Sequence, residues 1–386
     1  MKKSLKKVLS LVLSLALAAG VAAGINVQKT QAETTAVMNL PVVTDYASQL
    51  VPAQAALTLQ GKSAGTPEVI VPVRVENAGV VQIAAQVTTG GAASIEMGLF
   101  SDQNCTVSAG GATTIAAGST RAVDKDYPVD KAGVYYVRFK WSSRVPDNAV
   151  IINVLGQAYY GEEATLGSIF QPVYVGNASK KLYHKVVVKK KGVVMICGNE
   201  YREVTGGVQA AGLTVQLCNA GKKPLHNAYL NTMNNYIEKY ALKKGTYYVA
   251  VATSEKYQLK TQTLSWKDKG GRNKKKAKMI KKGKTAYGMI TLTDSMKKTQ
   301  WYKIRLAKRS KMKLKISTAC TGTFSNLKVK IIPANRHYKL INNSFPLRDG
   351  GKRLTSRSKL AAGTYYIKIT KLTKAASGVY RVKFMK

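Results

Sequence analysis

The stretch Ala362-Gly363-Thr364-Tyr365-Tyr366-Ile367 decides the fold of this chain, because two related copies precede it. They read Ala132-Gly133-Val134-Tyr135-Tyr136-Val137 and Lys244-Gly245-Thr246-Tyr247-Tyr248-Val249, so the glycines lie 112 and 118 residues apart. A period of this length corresponds to a whole domain rather than to the short unit of a solenoid. The sequence therefore predicts three copies of one module, each with a glycine turn that leads into a Tyr-Tyr strand.

Apolar and basic residues alternate along the third copy. Tyr302, Ile304 and Leu306 alternate with Lys303 and Arg305, and residues 311–316, 327–331 and 379–384 show the same pattern. Successive strand residues point to opposite faces, so these are predicted to be half-buried antiparallel strands with a cationic outer face. Several short strands at this spacing predict an all-β fold of tandem antiparallel β-sandwich modules.

The N-terminus has the features of a secretory signal. Lys2, Lys3, Lys6 and Lys7 precede an apolar stretch over 8–24, and Thr30 and Ala32 suit the −3 and −1 positions of a cleavage site. Cleavage near Ala23 and retention as a membrane anchor are the alternatives, but the stretch is short for a span. The mature chain is expected to be secreted, without a membrane span. The predicted division is 1–32 signal peptide, 33–160 neutral module, 161–266 basic module, 267–284 flexible Lys-rich linker and 285–386 basic module.

Charge is distributed unevenly between these segments. Residues 33–160 hold 8 basic and 10 acidic residues, whereas residues 161–386 hold 48 basic and 9 acidic residues. Lysines on outer faces protect a sheet edge from aggregation, but a solubilising surface normally mixes both signs. A field of one sign costs self-repulsion and indicates a partner of opposite charge.

The third copy resembles the bacterial pre-peptidase C-terminal domain. The residues that carry the resemblance are Lys278-Met279-Ile280, Gly283-Lys284-Thr285, Gly288, Trp301-Tyr302-Lys303-Ile304 and the Gly363-Thr364-Tyr365-Tyr366 strand. The resemblance is clearest over 271–386 and weaker in the two preceding copies. It implies a jelly-roll-like β-sandwich that serves as an accessory module of secreted and surface proteins. Some members bind calcium through clustered acids, which the two basic modules lack, so neither a metal nor another cofactor is expected.

Two kinds of side chain are candidate binding groups. Outward basic residues are predicted to bind an anionic cell-wall polymer or another extracellular polyanion, and nucleic acid only nonspecifically. They are Lys274, Lys275, Lys276, Lys303, Arg305, Lys313, Lys315, Lys328 and Lys330. The second residue of each Tyr-Tyr pair, namely Tyr136, Tyr248 and Tyr366, is predicted to face outward, where it could stack on a glycan.

Catalytic patterns are not apparent in the sequence. His184, His226 and His337 are scattered, no His-Glu-x-x-His or Cys-x-x-Cys motif occurs, and the close acid pairs lie in loop-like segments. Cys197 and Cys218 fall within one module and could form a disulfide, with buried free thiols as the alternative. Leu225, Tyr229 and Met233 lie near helical spacing, which leaves open a short helix or a long loop. The sequence thus predicts an exported, non-enzymatic binding protein of the cell envelope. The alternatives are a carbohydrate-binding accessory module and a secreted hydrolase with an unrecognised site.

Overall fold

The chain forms strands throughout the part that the structure describes. The computed structural model describes residues 37–43, 55–60, 68–89, 93–119, 121–143, 151–170, 172–176, 179–204, 207–231, 237–320, 327–335, 337–338, 340, 343–347 and 350–385. The predicted signal peptide lies outside these residues. Within them there are 27 strands and no helix, which confirms the predicted all-β fold.

The strands divide into three sets of nine along the chain. The first module contains β1 (Met38–Asn39), β2 (Ala55–Gln60), β3 (Glu68–Val75), β4 (Gly79–Thr89), β5 (Ile95–Phe100), β6 (Thr113–Ile115), β7 (Val123–Val129), β8 (Gly133–Trp141) and β9 (Ile151–Tyr160). The second module contains β10 (Tyr174–Val175), β11 (Leu182–Val188), β12 (Gly192–Val204), β13 (Gly207–Ala211), β14 (Leu213–Cys218), β15 (Pro224–Leu230), β16 (Glu238–Leu242), β17 (Gly245–Val251) and β18 (Lys256–Ser265). The third module contains β19 (Lys278–Met279), β20 (Thr285–Ile290), β21 (Thr299–Leu306), β22 (Lys313–Cys320), β23 (Leu327–Pro333), β24 (Ser344–Leu347), β25 (Lys352–Thr355), β26 (Gly363–Lys371) and β27 (Gly378–Phe384).

Each module packs a front sheet, which contains the Gly-Tyr-Tyr strand, against a back sheet. The front sheets have the orders β1-β3-β8-β5-β6, β11-β17-β14-β15 and β19-β21-β26-β23-β24. The Gly-Tyr-Tyr strand is therefore in the same place in all three, between the strands that equate with β21 and β23. The back sheet of the third module has the order β20-β27-β22-β25. Apolar inward side chains of the two sheets form one core in each module.

The inner tyrosine of each repeat closes the turn before its own strand. Tyr135, Tyr247 and Tyr365 are buried, and their hydroxyls donate to the carbonyl oxygen four residues earlier at 3.0, 3.3 and 2.9 Å. Gly245 and Gly363 have φ angles of 154° and 145°, which L side chains rarely adopt. This local arrangement puts the following tyrosine on the outer face of the sheet.

The first two modules share a sheet. The strand order β13-β12-β18-β10-β9-β4-β7 runs through both back sheets, because β10 pairs with β18 on one side and with β9 on the other. Val43 strengthens this junction, since its amide donates to Ala158 at 3.0 Å and its carbonyl accepts from Val173 at 2.8 Å. The two back sheets therefore form one nine-stranded sheet.

The second and third modules are joined by side-chain packing. A buried apolar cluster contains Val193 and Ala241 of the second module together with Met289 and Val379 of the third. Leu292, from the loop after β20, belongs to the core of the second module. Main-chain hydrogen bonding supports this insertion, since the Leu292 amide donates to Ala241 at 2.8 Å.

The prediction that residues 267–284 form a flexible linker is wrong. Gly271 exchanges two main-chain hydrogen bonds with Trp301 at 3.0 and 2.8 Å, and β19 pairs in parallel with Tyr302 and Lys303. Ala277 and Ile280 are buried. These hydrogen bonds and the burial outweigh the repulsion among ten basic residues, because those side chains point to water.

The segment with helical spacing in the second module is neither a helix nor a long loop over its first part. Residues 224–230 form β15, which pairs with β14 along its length. Ala228 and Leu230 face the core, so buried side chains recur every two residues, as in a strand. Met233 lies outside the described residues.

Candidate polyanion interface

The outer surface of the third front sheet brings together four of the nine predicted basic residues. We call it the front face and define it by Trp301, Lys303 and Arg305 on β21, Tyr366 and Lys368 on β26, and Lys328 and Lys330 on β23. Their strands alternate buried and accessible residues, so these seven side chains share one side. On β26, Lys368 stands opposite Trp301 of β21 on one side and opposite Lys330 of β23 on the other. Lys303 of β21 stands opposite Tyr366 of β26.

Lys313 and Lys315 lie on the opposite side of the module. Both are exposed on β22 of the back sheet. Lys315 stands opposite Lys383 of β27 and Arg353 of β25, which places three cations in one row across the sheet. The predicted basic residues therefore belong to two faces, and no single ligand-sized site contains them all.

The Lys274-Lys275-Lys276 run borders the front face. All three side chains are exposed, and the Lys274 ammonium lies over the ring of Tyr366, 4.9 Å from its centroid. The Lys368 ammonium lies 5.5 Å from the Trp301 ring centroid, and the two rings meet edge to face at 6.3 Å. Cations near aromatic faces are attracted by the ring quadrupole. Trp301 and Lys368 were missed by sequence reasoning, although the alternation Tyr366, Lys368, Thr370 contained the signal for Lys368.

Acidic residues are absent from the nine strands of this module. The two described acids of the third module serve its junction with the second. Asp268 accepts from Lys191 at 3.2 Å, and Asp294 accepts from Lys243 at 3.0 Å. Hydrogen bonds from Thr291 and Lys243 hold the pKa of Asp294 below its usual value despite its burial. Neither carboxylate is therefore placed to neutralise the front face.

The outer tyrosines occupy the predicted side of their strands. Tyr136, Tyr248 and Tyr366 are half-buried, in contrast to their buried neighbours. Tyr248 lies edge to face with Tyr183 at 6.4 Å, whereas Tyr136 stands opposite Pro72 and Phe100. A lysine ammonium approaches the rings of Tyr248 and Tyr366, so these rings contact a cation on the surface where a glycan would stack.

The possible disulfide between Cys197 and Cys218 is not formed, and the alternative of buried free thiols holds. Both thiols are free and buried. Cys197 is on β12 of the back sheet, where Val194 and Ile196 are the core-facing neighbours, and Cys218 is on β14 of the front sheet. The core therefore separates the two side chains, and burial raises the pKa of each thiol.

Two histidines of the second module pack among tyrosines. His184 is fully buried, its Nε2 lies 2.7 Å from the Tyr257 hydroxyl, and burial lowers its pKa to about 4. Nδ1 of His226 lies 3.0 Å from the Tyr240 hydroxyl. Among the described residues, no group of three or more His, Cys, Asp or Glu side chains could hold a metal ion. The same residues contain no helix long and apolar enough to cross a membrane.

Comparisons with known proteins give only loose likenesses. No protein-family model and no curated protein matches this chain. The triple jelly roll of an archaeal virus is 8% identical over 93% of this chain and 100% of its own, with a TM-score of 0.19. The tandem CBM22 domains of Paenibacillus barcinonensis Xyn10C are 10% identical over 89% of each chain, with a TM-score of 0.22. The exported protein XepA of PBSX is 11% identical over 61% of this chain and 99% of its own, with a TM-score of 0.21. At such low scores the likeness carries no argument about a ligand or an activity.

Proposed function

We propose that this chain is an exported, noncatalytic protein that attaches to an anionic polymer of the cell envelope through its third module. One observation carries the proposal. Outward cations of this module stand directly opposite one another across neighbouring strands, as Lys330 does with Lys368 and Lys315 with Lys383, and its strands contain no acid. An envelope location rests on the signal-like N-terminus.

The opposed cations destabilise the unbound protein. Like charges directly opposite on a sheet destabilise it, and a surface that only needed solubility would place acids between them. An anionic polymer offsets this repulsion when it binds and releases its own counterions, so the arrangement that costs stability in the free protein contributes affinity in the complex. A teichoic acid-like polymer has the required repeated negative charge.

The test uses the whole chain, because the first two modules share a sheet and a cut at residue 160 would separate β9 from β10. Binding to isolated cell walls is measured by sedimentation as salt is raised. With six or more phosphate contacts, the affinity should fall at least about hundredfold between roughly 50 and 200 mM salt. Walls stripped of anionic polymer should bind much less.

A matched variant separates charge from fold. Changing Lys303, Arg305, Lys313, Lys315, Lys328 and Lys330 to Gln removes six outward charges and leaves every core residue in place. The variant should keep its β-rich circular dichroism and lose most wall binding. Binding of either protein that persists in molar salt would overturn the proposal and favour glycan recognition by outer aromatic residues.

A further inference from the structure

Modules two and three carry equivalent pairs of rings on their front sheets. In the third module Lys303 stands opposite Tyr366, and Trp301 lies two residues before Lys303. In the second module Lys185 stands opposite Tyr248, and Tyr183 lies two residues before Lys185. Both ring pairs meet edge to face, with ring centroids 6.3 Å apart in the third module and 6.4 Å apart in the second. The repeat therefore preserves an aromatic pair at one position of the sandwich.

In the second module this pair holds a lysine that is already bound to an anion. The Lys222 ammonium lies 4.5 Å from the Tyr183 ring centroid and 5.4 Å from that of Tyr248. It donates to both carboxylate oxygens of Glu163 at 3.2 Å, and Glu163 also accepts from the Tyr183 amide at 3.3 Å. A negative group supplied by the same chain therefore fills this position.

In the third module the rings hold two ammonium groups, and no described carboxylate pairs with either of them. Lys274 lies over Tyr366 and Lys368 over Trp301. Among the described residues, no carboxylate forms an ion pair with Lys274 or Lys368. The rings limit the freedom of both side chains in advance, which lowers the entropy that an incoming ligand must remove.

We propose that Trp301, Tyr366, Lys274 and Lys368 form an ordered site for one phosphate group of a polyol-phosphate polymer. This inference rests on the proposed function and names the ligand group and the place where it binds. The phosphate is the counterpart of the Glu163 carboxylate only in its contact with a ring-held ammonium group. The Trp301 amide, which is equivalent to the amide that Glu163 binds, already donates to the Gly271 carbonyl at 2.8 Å. The several oxygens of the phosphate can accept from two ammonium groups at once. The rings act by holding the two ammonium groups, so this site selects a phosphodiester rather than a stacked sugar ring.

The first experiment uses calorimetry to measure how tightly two charge-matched variants of the full chain bind poly(glycerol phosphate). Lys274→Gln with Lys368→Gln removes the site, and Lys313→Gln with Lys315→Gln removes the same charge from the back sheet. The front pair should weaken binding about tenfold, and the back pair about twofold. Tyr366→Leu, which leaves the net charge unchanged, should weaken it about threefold, because the ring no longer orders Lys274. Polygalacturonate, a carboxylate polymer, should discriminate less between the two double variants.

The second experiment opens the equivalent position in the second module. Glu163→Gln frees the Lys222 ammonium, whereas Glu162→Gln makes the same charge change one residue away. The first variant should bind poly(glycerol phosphate) about threefold tighter than the second. Equal affinities of the two lysine double variants would overturn the ordered site and leave the proposed function standing. Failure of the unaltered protein to bind either polymer would overturn both.

Discussion

The Lys371 ammonium donates to the carbonyl oxygen of Leu292 at 2.8 Å, and the Leu292 side chain is part of the core of the second module. The same ammonium also donates to the carbonyls of Asp294 at 3.0 Å and Thr291 at 3.5 Å. Lys371 is buried, and this burial lowers its pKa. A single cation thus holds the loop by which the third module enters the second.

Replacing Lys371 tests this role. Lys371→Met keeps the length of the side chain and removes the ammonium donor from the Leu292 and Asp294 carbonyls, whereas the Thr291 carbonyl still accepts from the Asp294 amide. The protein should therefore lose about 2–3 kcal/mol of stability. Thermal unfolding measures the loss. Lys374→Met, at an exposed position three residues later, is the control and should stay within about 0.5 kcal/mol of the unaltered protein.

Relief of repulsion on the front face should be visible as a gain in stability. Lys330→Gln removes a charge that stands opposite Lys368, so the variant should gain about 0.5 kcal/mol at low salt. The gain should disappear in molar salt, where charges are screened within about 3 Å. A gain that is independent of salt would show that repulsion was not its cause.

Acid should destabilise the protein through His184. Its pKa in the folded chain is about 4, below the ordinary value of 6.5, because the ring is buried. The unfolded chain therefore binds more protons between these values, so stability is complete above pH 6.5 and falls as the pH drops towards 4. The loss should reach about 3 kcal/mol. His184→Gln should flatten the profile, although burial also lowers the pKa of His226 and leaves a smaller slope.

Two glycines that look equivalent in sequence should respond differently to alanine. Gly363 has a φ of 145° and no atom within 4 Å of an added Cβ, so Gly363→Ala should cost about 1–2 kcal/mol through backbone conformation alone. Gly133 is not among the glycines with a positive φ, and its added Cβ would meet only Tyr135 at 4.0 Å. Gly133→Ala should therefore be nearly neutral in the same unfolding assay.

Alkylation provides a check on the cysteines. In denaturant without reductant, peptides that contain Cys197 and Cys218 should each carry the alkyl label, because both thiols are free in the fold. In the native protein labelling should be slow, since burial raises the pKa of both thiols and excludes the reagent. A peptide pair linked through these two residues would contradict the structure.

Periodicity was sufficient to predict the strands and the outward side of each Tyr-Tyr pair. Alternation is a local property, and Lys303 and Lys328 follow it because their apolar neighbours must be buried. A prediction from composition was wrong where tertiary contacts determine the structure. The basic segment 267–284 reads as a linker, yet the pairing of Gly271 with Trp301 makes it part of the module.

Register was the information that the sequence did not contain. No local pattern indicates that Lys368 stands between Trp301 and Lys330, because strand order follows from packing of distant segments. The sequence left open a disulfide or free thiols for the same reason, since Cys197 and Cys218 are close in sequence but on different sheets. The resemblance to the pre-peptidase C-terminal domain remains a prediction.

The sheet shared by the first two modules has a mechanical consequence. A force applied to the near-neutral module while the basic module is held must shear the backbone hydrogen bonds around β9, β10 and Val43. If unpaired chain connected the two modules instead, that chain would extend before any sheet hydrogen bond broke. The first module therefore cannot swing freely, and its orientation is set by the way in which the basic modules are attached.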